Sequence, residues 1–234
     1  MTRRRLGVLG GMGPAASALF YQMVTERTEA SCDQEHIDLL LWSCASMPDR
    51  TACLLTGRKE ELYQKLLSEA RLLERAGCTA LAIPCNTSHV FAPRLERDLT
   101  IPLVNMVEAA ADEAKRRGWR KAAIFATDGT VQNGLYQKAC AARDIDALVP
   151  EGAVQRQVMR VIYDRVKAGS RVTMADMAPL LNWREQMGCD GAILACTELS
   201  LARRHLGLDR TWADAMAALA DAAILACGGR LKKG

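Results

Sequence analysis

Two of the nine cysteines in this chain stand apart because each closes an apolar run and opens a polar one. Cys85 lies in Ile83-Pro-Cys-Asn-Thr-Ser-His89, and Cys196 lies in Leu194-Ala-Cys-Thr-Glu-Leu-Ser200. In both strings the residues before the thiol read as a buried strand and those after it as the start of a helix. A thiol at a helix amino terminus meets the positive end of the helix dipole and free backbone N–H groups, which lower its pKa from about 8.5. Asn86, Thr87 and Thr197 are placed either to cap these helices or to donate to a substrate carboxylate.

The chemistry such a pair suits is proton transfer at carbon. Removing the α-proton of an amino acid is hard, because the carboxylate poorly stabilises the carbanion that forms. It takes a base close to Cα–H, donors for the developing charge, and exclusion of water. Inversion without a carrier group adds an acid on the opposite face. One thiolate and one thiol, exchanging roles with direction, meet that need. The ordinary reading of a cysteine at the end of an Ala/Ile/Leu strand is packing. That reading is kept for Cys32, Cys44, Cys53, Cys78, Cys140, Cys189 and Cys227.

An internal repeat separates Cys85 and Cys196 from the rest. Glu74-Arg-Ala-Gly-Cys-Thr-Ala-Leu-Ala-Ile-Pro-Cys85 aligns with Glu185-Gln-Met-Gly-Cys-Asp-Gly-Ala-Ile-Leu-Ala-Cys196 at a constant offset of 111 residues. Glu, Gly, Cys and the final Cys coincide. A fainter match pairs Leu6–Pro14 with Ala122–Thr130, each a strand running into a glycine-containing turn before a helix.

The elements that must hold the thiols alternate along the chain. Strands are expected over Arg5–Gly10, Ile37–Cys44, Ala80–Pro84 and Lys121–Ala126. Helices are expected over Pro14–Ala30, Lys59–Ala76 and Glu108–Arg117, after Asn86, and from Thr130, with Pro48, Asp49 and Arg50 in a loop. This alternation and the repeat predict an α/β fold of two similar subdomains with parallel-type sheets flanked by helices. A pseudo-twofold relation, with the active site in the cleft at the carboxyl ends of the strands, is the expected arrangement.

Composition narrows the class. The chain has 234 residues, half of them apolar and 5% aromatic, enough for a core built from Ala, Leu, Ile and Val. Its 31 basic and 27 acidic residues are dispersed, so nucleic-acid binding has no support. The apolar stretch after the amino-terminal arginines is broken by Gly7, Gly10 and Gly11, too short for a signal sequence. No window approaches the about 20 apolar residues of a membrane span. An odd cysteine count within apolar runs, without C-x-x-C spacing, argues against disulfides and zinc, and the expected compartment is reducing cytoplasm.

At these residues the chain resembles the aspartate/glutamate racemase family, cofactor-independent enzymes with two cysteine bases, and within it the aspartate racemases most. The strings that carry the resemblance are Gly7-Val-Leu-Gly-Gly-Met-Gly-Pro14, Met47-Pro-Asp-Arg-Thr51, Pro84-Cys-Asn-Thr-Ser-His89, Ala126-Thr-Asp-Gly-Thr130 and Ala195-Cys-Thr-Glu198. They run in family order over nearly the whole chain. Ser88 stands where Ala is commoner, Ala195 where Gly is commoner, and the stretch after Leu208 matches less well.

The resemblance implies a first subdomain over residues 1–103, rejoined by 210–234, and a second over 104–209. It implies cysteine bases at Cys85 and Cys196, no cofactor and no metal, and a small acidic amino acid as substrate. Met12 and Gly13 are implied to approach the substrate through their backbone. Arg50 and Lys167 are implied to hold its side-chain carboxylate, a role that suits their charge. Lys167 also reads as an exposed cation near a helix carboxyl terminus. Family members are often dimeric, so a homodimer is an open expectation.

Several residues keep two readings. Gly7-x-x-Gly10-Gly11-x-Gly13 after a strand has the flavour of a dinucleotide loop but lacks G-x-G-x-x-G spacing, and a nucleotide cofactor is not expected. His89 is either partner to Cys85 or a hydrogen-bonded structural histidine, the second being preferred. Glu198 serves either to orient a helix amino terminus or to tune Cys196. Thr127 and Thr130 are donor candidates or ordinary turn residues. Competing functions are maleate isomerisation, hydantoin racemisation, and non-catalytic amino-acid binding.

Overall fold

The computed structural model describes residues 4–232; Met1, Thr2, Arg3, Lys233 and Gly234, the outermost residues of the expected first subdomain, lie outside that range. The chain divides into two compact units. One takes the described residues up to Met106 and again from Met216; the other runs Val107–Ala215.

The first unit opens with β1 (Arg5–Gly10), α1 (Pro14–Arg27) and β2 (Asp38–Ser43). It continues through α2 (Arg50–Leu55), α3 (Lys59–Arg75) and β3 (Ala80–Ala82). A 3-10 turn over Thr87–Phe91 leads into α4 (Ala92–Asp98) and β4 (Leu103–Val104). The sheet order is β2-β1-β3-β4, all parallel. Its two central strands are buried on both faces, so they read as apolar runs without alternation.

The second unit holds α5 (Met106–Arg116) from Val107 onward, then β5 (Lys121–Ala126), α6 (Asp128–Gln132), α7 (Leu135–Ala141) and β6 (Asp146–Leu148). Next come α8 (Gly152–Arg160) and a π-helical continuation over Val161–Lys167. α9 (Met174–Gln186) starts at a capping box made by Thr173 and Asp176. β7 (Gly191–Ala195), α10 (Thr197–Leu206) and β8 (Trp212–Asp214) complete it in the parallel order β6-β5-β7-β8. α11 (Ala215–Ala226) then carries the chain back to the first unit.

The two sheets therefore share strand order, and they share register as well. Leu6 pairs with Ala80 in one and Ala122 with Gly191 in the other, the same partners that the internal repeat relates. β3 and β7 hold equivalent central places.

The glycine-rich string after β1 is explained by packing. Gly11 has φ +87°, and a Cβ there would meet the Cys44 backbone at 2.4 Å, where β2 ends. Ser17 stitches the turn to α1, accepting from Gly11 N–H at 2.8 Å and donating to Gly13 O at 3.0 Å. Among the described residues no helix is long and apolar enough to cross a membrane.

Candidate active site

In the first unit, Cys85 follows β3 after a tight turn. Pro84 has no N–H to give the ladder, so the strand ends at Ala82, and Cys85 N–H donates to Ile83 O at 2.7 Å. Cys85 is buried in the unit's hydrophobic core, in a cluster that also holds Met12, Cys44, Met47 and Phe91. Asn86 occupies the N-cap position of the 3-10 turn, but its side chain makes no capping bond, and Thr87 begins the turn. Ser88 Oγ donates to Met12 Sδ at 3.5 Å, which joins the Cys85 loop to the glycine-rich turn.

Arg50 does not sit in a loop. Asp49 accepts from Ala52 N–H at 2.8 Å and starts α2 at Arg50, a cap that Pro48 masked in the sequence. The side chain is buried, and its guanidinium donates to Pro48 O at 3.0 Å and to Met47 O and Met12 O at 3.4 Å each. Met12 is thus the point at which Arg50 and the Cys85 loop meet. Gly13 O is occupied by Ser17 N–H and Oγ, at 3.1 and 3.0 Å.

His89 is a hydrogen-bonded structural residue. Its Nε2 accepts from Met106 N–H at 3.0 Å, which requires the ring proton on Nδ1, and Nδ1–H then donates to Cys85 O at 2.9 Å. Burial lowers its pKa to about 4, so the ring is neutral. The bond reaches the backbone carbonyl of Cys85 and not its sulfur, which fits no Cys–His nucleophile pair.

In the second unit, Cys196 follows β7 directly and stands at the N-cap of α10. Its Sγ–H donates to Glu198 Oε2 at 3.0 Å, and Thr197 Oγ1 donates to the same oxygen at 3.2 Å. Lys167 Nζ lies 3.8 Å from Glu198 Oε1 and 4.6 Å from the centre of the Tyr163 ring. Lys167 is thus an exposed residue at the end of the π-helical segment whose ammonium also turns onto the Cys196 cluster through Glu198.

The expected lowering of the thiol pKa at a helix amino terminus is overturned at Cys196. Burial pushes this thiol well above its ordinary value, and the Glu198 carboxylate adds to the push. A helix terminus contributes about 0.3–1 kcal/mol. Burying a thiolate beside a carboxylate costs on the order of several kcal/mol and wins.

Ala126 pairs with Ala195 across the β5–β7 ladder, so Thr127 and Cys196, the next residues on each strand, leave the sheet side by side. Thr127 caps α6, with its Oγ1 accepting from Thr130 N–H at 3.4 Å and lying 3.2 Å from Thr130 Oγ1. Close by, Gln155 Nε2 donates to Ala126 O and Asp128 Oδ1, at 3.0 and 2.7 Å. A hollow of about 320 Å³ opens beside them, with Asp128, Gln155 and Tyr163 on its wall.

The structure thus gathers Met12, Gly13, Arg50 and Cys85–Thr87 at one sheet end of the first unit. It gathers Thr127, Thr130, Lys167 and Cys196–Glu198 at the matching end of the second. Sequence reasoning gave no role to Tyr163, although its i,i+4 spacing to Lys167 was a usable signal. It also passed over the buried bond from Ser200 Oγ to Asp214 Oδ1 at 2.6 Å.

Comparison with known proteins agrees with this architecture. The family model described as Asp/Glu/Hydantoin racemase matches residues 9–223. The broad specificity amino-acid racemase RacX of Bacillus subtilis is 24% identical over 94% of this chain and 96% of its own. The aspartate racemase of Picrophilus torridus superposes with a TM-score of 0.83 at 27% identity, covering 98% of this chain and 96% of that one. An aspartate racemase homologue from Pyrococcus horikoshii, at 24% identity and 96% and 99% coverage, shares the fold with a TM-score of 0.76. With a family match spanning most of its length and two like α/β units carrying a cysteine at the end of each central strand, the chain belongs to the Asp/Glu/hydantoin racemase family.

Proposed function

We propose that this protein interconverts the enantiomers of aspartate, with glutamate as a second substrate, by two-base proton transfer between Cys85 and Cys196 and without a cofactor. The observation that carries the reading is the equivalence of the two thiols: each follows the central strand of its own sheet, in sheets of one order and one register.

In each direction one sulfur, as thiolate, removes the Cα proton, and the other, as thiol, protonates the opposite face. The reading requires both sulfurs to come within roughly 3–3.5 Å of one Cα. Backbone N–H groups after Cys85 and at the start of α10, with Asn86, Thr87, Thr127, Thr130 and Thr197, are the donors proposed for the α-carboxylate and its developing enolate charge. Arg50 and Lys167 are proposed for the side-chain carboxylate. Both cations already touch the cysteine clusters, which supports that assignment. Met12 and Gly13 are proposed to meet the substrate by backbone.

Incubation with single enantiomers in heavy water tests the reading. Deuterium should enter Cα of aspartate while optical rotation decays, and Cys85→Ala or Cys196→Ala should abolish racemisation. Absence of exchange with any acidic amino acid sinks the substrate assignment. The Bacillus subtilis relative is named for broad specificity, so neutral and basic amino acids belong in the same panel. Turnover of these at the aspartate rate would make the protein a broad-specificity racemase instead.

A further inference from the structure

Cys85 and Cys196 hold equivalent places, yet the residue two positions further on differs: Thr87 in one unit, Glu198 in the other. The Glu198 carboxylate is buried, accepts Cys196 Sγ–H and Thr197 Oγ1–H on one oxygen, and has Lys167 against the other. An ionised carboxylate only accepts hydrogen bonds, so it holds this sulfur only while the sulfur keeps its proton. A thiolate in the same place would face it as a like charge.

We propose that Glu198 is a positioning residue that keeps the proton on Cys196, with Lys167 anchoring its far oxygen, so that the two thiols are unequal: the resting protein holds Cys196 as the proton donor, and the opposite direction starts from the minor form in which Cys85 holds the proton. The inference rests on the two-thiol racemisation proposed above. From the resting form, Cys85 sulfur takes the proton from Cα and the C–H electron pair stays on carbon. That carbon then takes the Cys196 proton on its opposite face, and the S–H pair stays on sulfur. Water returns a proton to Cys196 and receives one from Cys85, so the protein ends as it began.

Other titratable and charged groups around Cys196 are Lys167 at the end of the π-helical segment and the buried Tyr136 hydroxyl of α7, which in turn feels Asp214 of β8. Glu198 is the group hydrogen-bonded to the sulfur. Because a racemisation has an equilibrium constant of unity, kcat/KM is the same for both enantiomers. Inequality of the thiols therefore emerges as kcat and KM that differ in parallel between them.

The test is the pH profile of Cys196 alkylation by iodoacetamide in the full-length protein, read by mass spectrometry of the peptide that contains it. Glu198→Gln keeps the size and removes the charge. It should displace the profile to lower pH and speed alkylation at neutral pH about tenfold, the change in thiolate fraction that follows a one-unit shift. Lys167→Met should displace it to higher pH. The Cys85 profile should stay put in Glu198→Gln. If Glu198→Gln does not fold, Lys167→Met alone decides the matter; superimposable Cys196 profiles, including no reaction in any protein, overturn the proposal. The readout needs no substrate, so its outcome is distinct from that of the heavy-water exchange.

Discussion

His89 is fixed by two bonds, of which the one accepted by Nε2 demands the neutral ring, and this gives the protein a specific acid sensitivity. The unfolded chain binds a proton on this imidazole near pH 6.5, whereas the folded one resists until about pH 4. A depressed histidine contributes no penalty above pH 6.5, and stability falls as pH drops from there to about 4. The loss is on the order of 3 kcal/mol over that window. Urea midpoints of wild type and His89→Asn, compared at pH 7 and pH 4.5, should show a smaller acid loss in the variant; equal losses would contradict it. The placement of Cys85 and Cys196 after like strands and the structural role of His89 were legible in the sequence. The carboxylate that turns back onto Cys196 was not, because local spacing gives a helix terminus and says nothing about which way Glu198 points.

Shared order and register make the two sheets alike, and the residues that follow them make like contacts. Four positions after each cysteine, His89 reaches Met106 just past β4, and Ser200 reaches Asp214 at the end of β8. Each ties the cysteine loop to the region of its sheet's last strand with different chemistry. β7 also depends on a close approach: a Cβ on Gly191 would lie 2.1–2.5 Å from the Trp119 ring. Gly191→Ala should cost about 1–3 kcal/mol through overpacking. Gly11→Ala should cost more, since it meets backbone that cannot step aside and requires φ +87°. Thermal denaturation of both variants measures the difference, and an unchanged midpoint for Gly11→Ala would count against this account. β1 and β5 were readable to their ends because apolar runs stop at glycine or threonine turns. The start of α2 was hidden by Pro48, and the π-helical turn that carries Lys167 leaves no trace in a 3.6-residue pattern.

Across the whole molecule, the repeat was legible as two α/β units, while the point of return was not. Trp212–Asp214 forms β8 of the second sheet, and the first unit resumes only at Met216. The returning tail is sewn to the end of α1. Glu29 N–H donates to Arg230 O and Lys232 N–H to Arg27 O, both at 2.8 Å, and Arg27 grips Asp221 with two bonds of 2.5 and 2.6 Å. Deleting the chain from Arg230 onward should remove the two backbone bonds and cost about 2 kcal/mol. Chemical denaturation checks this, and a truncated protein as stable as the full chain would show that the tail only rests on α1.

The division of the first unit into two stretches of chain, with the second unit inserted between them, has a consequence for synthesis. A ribosome releases Val107–Ala215 as one continuous stretch, but it delivers α11 to the first unit only after that stretch has been made. The later-made unit can close while the earlier-made one still waits, with the Cys85 unit unfinished until α11 emerges. Birth order and completion order run in opposite directions.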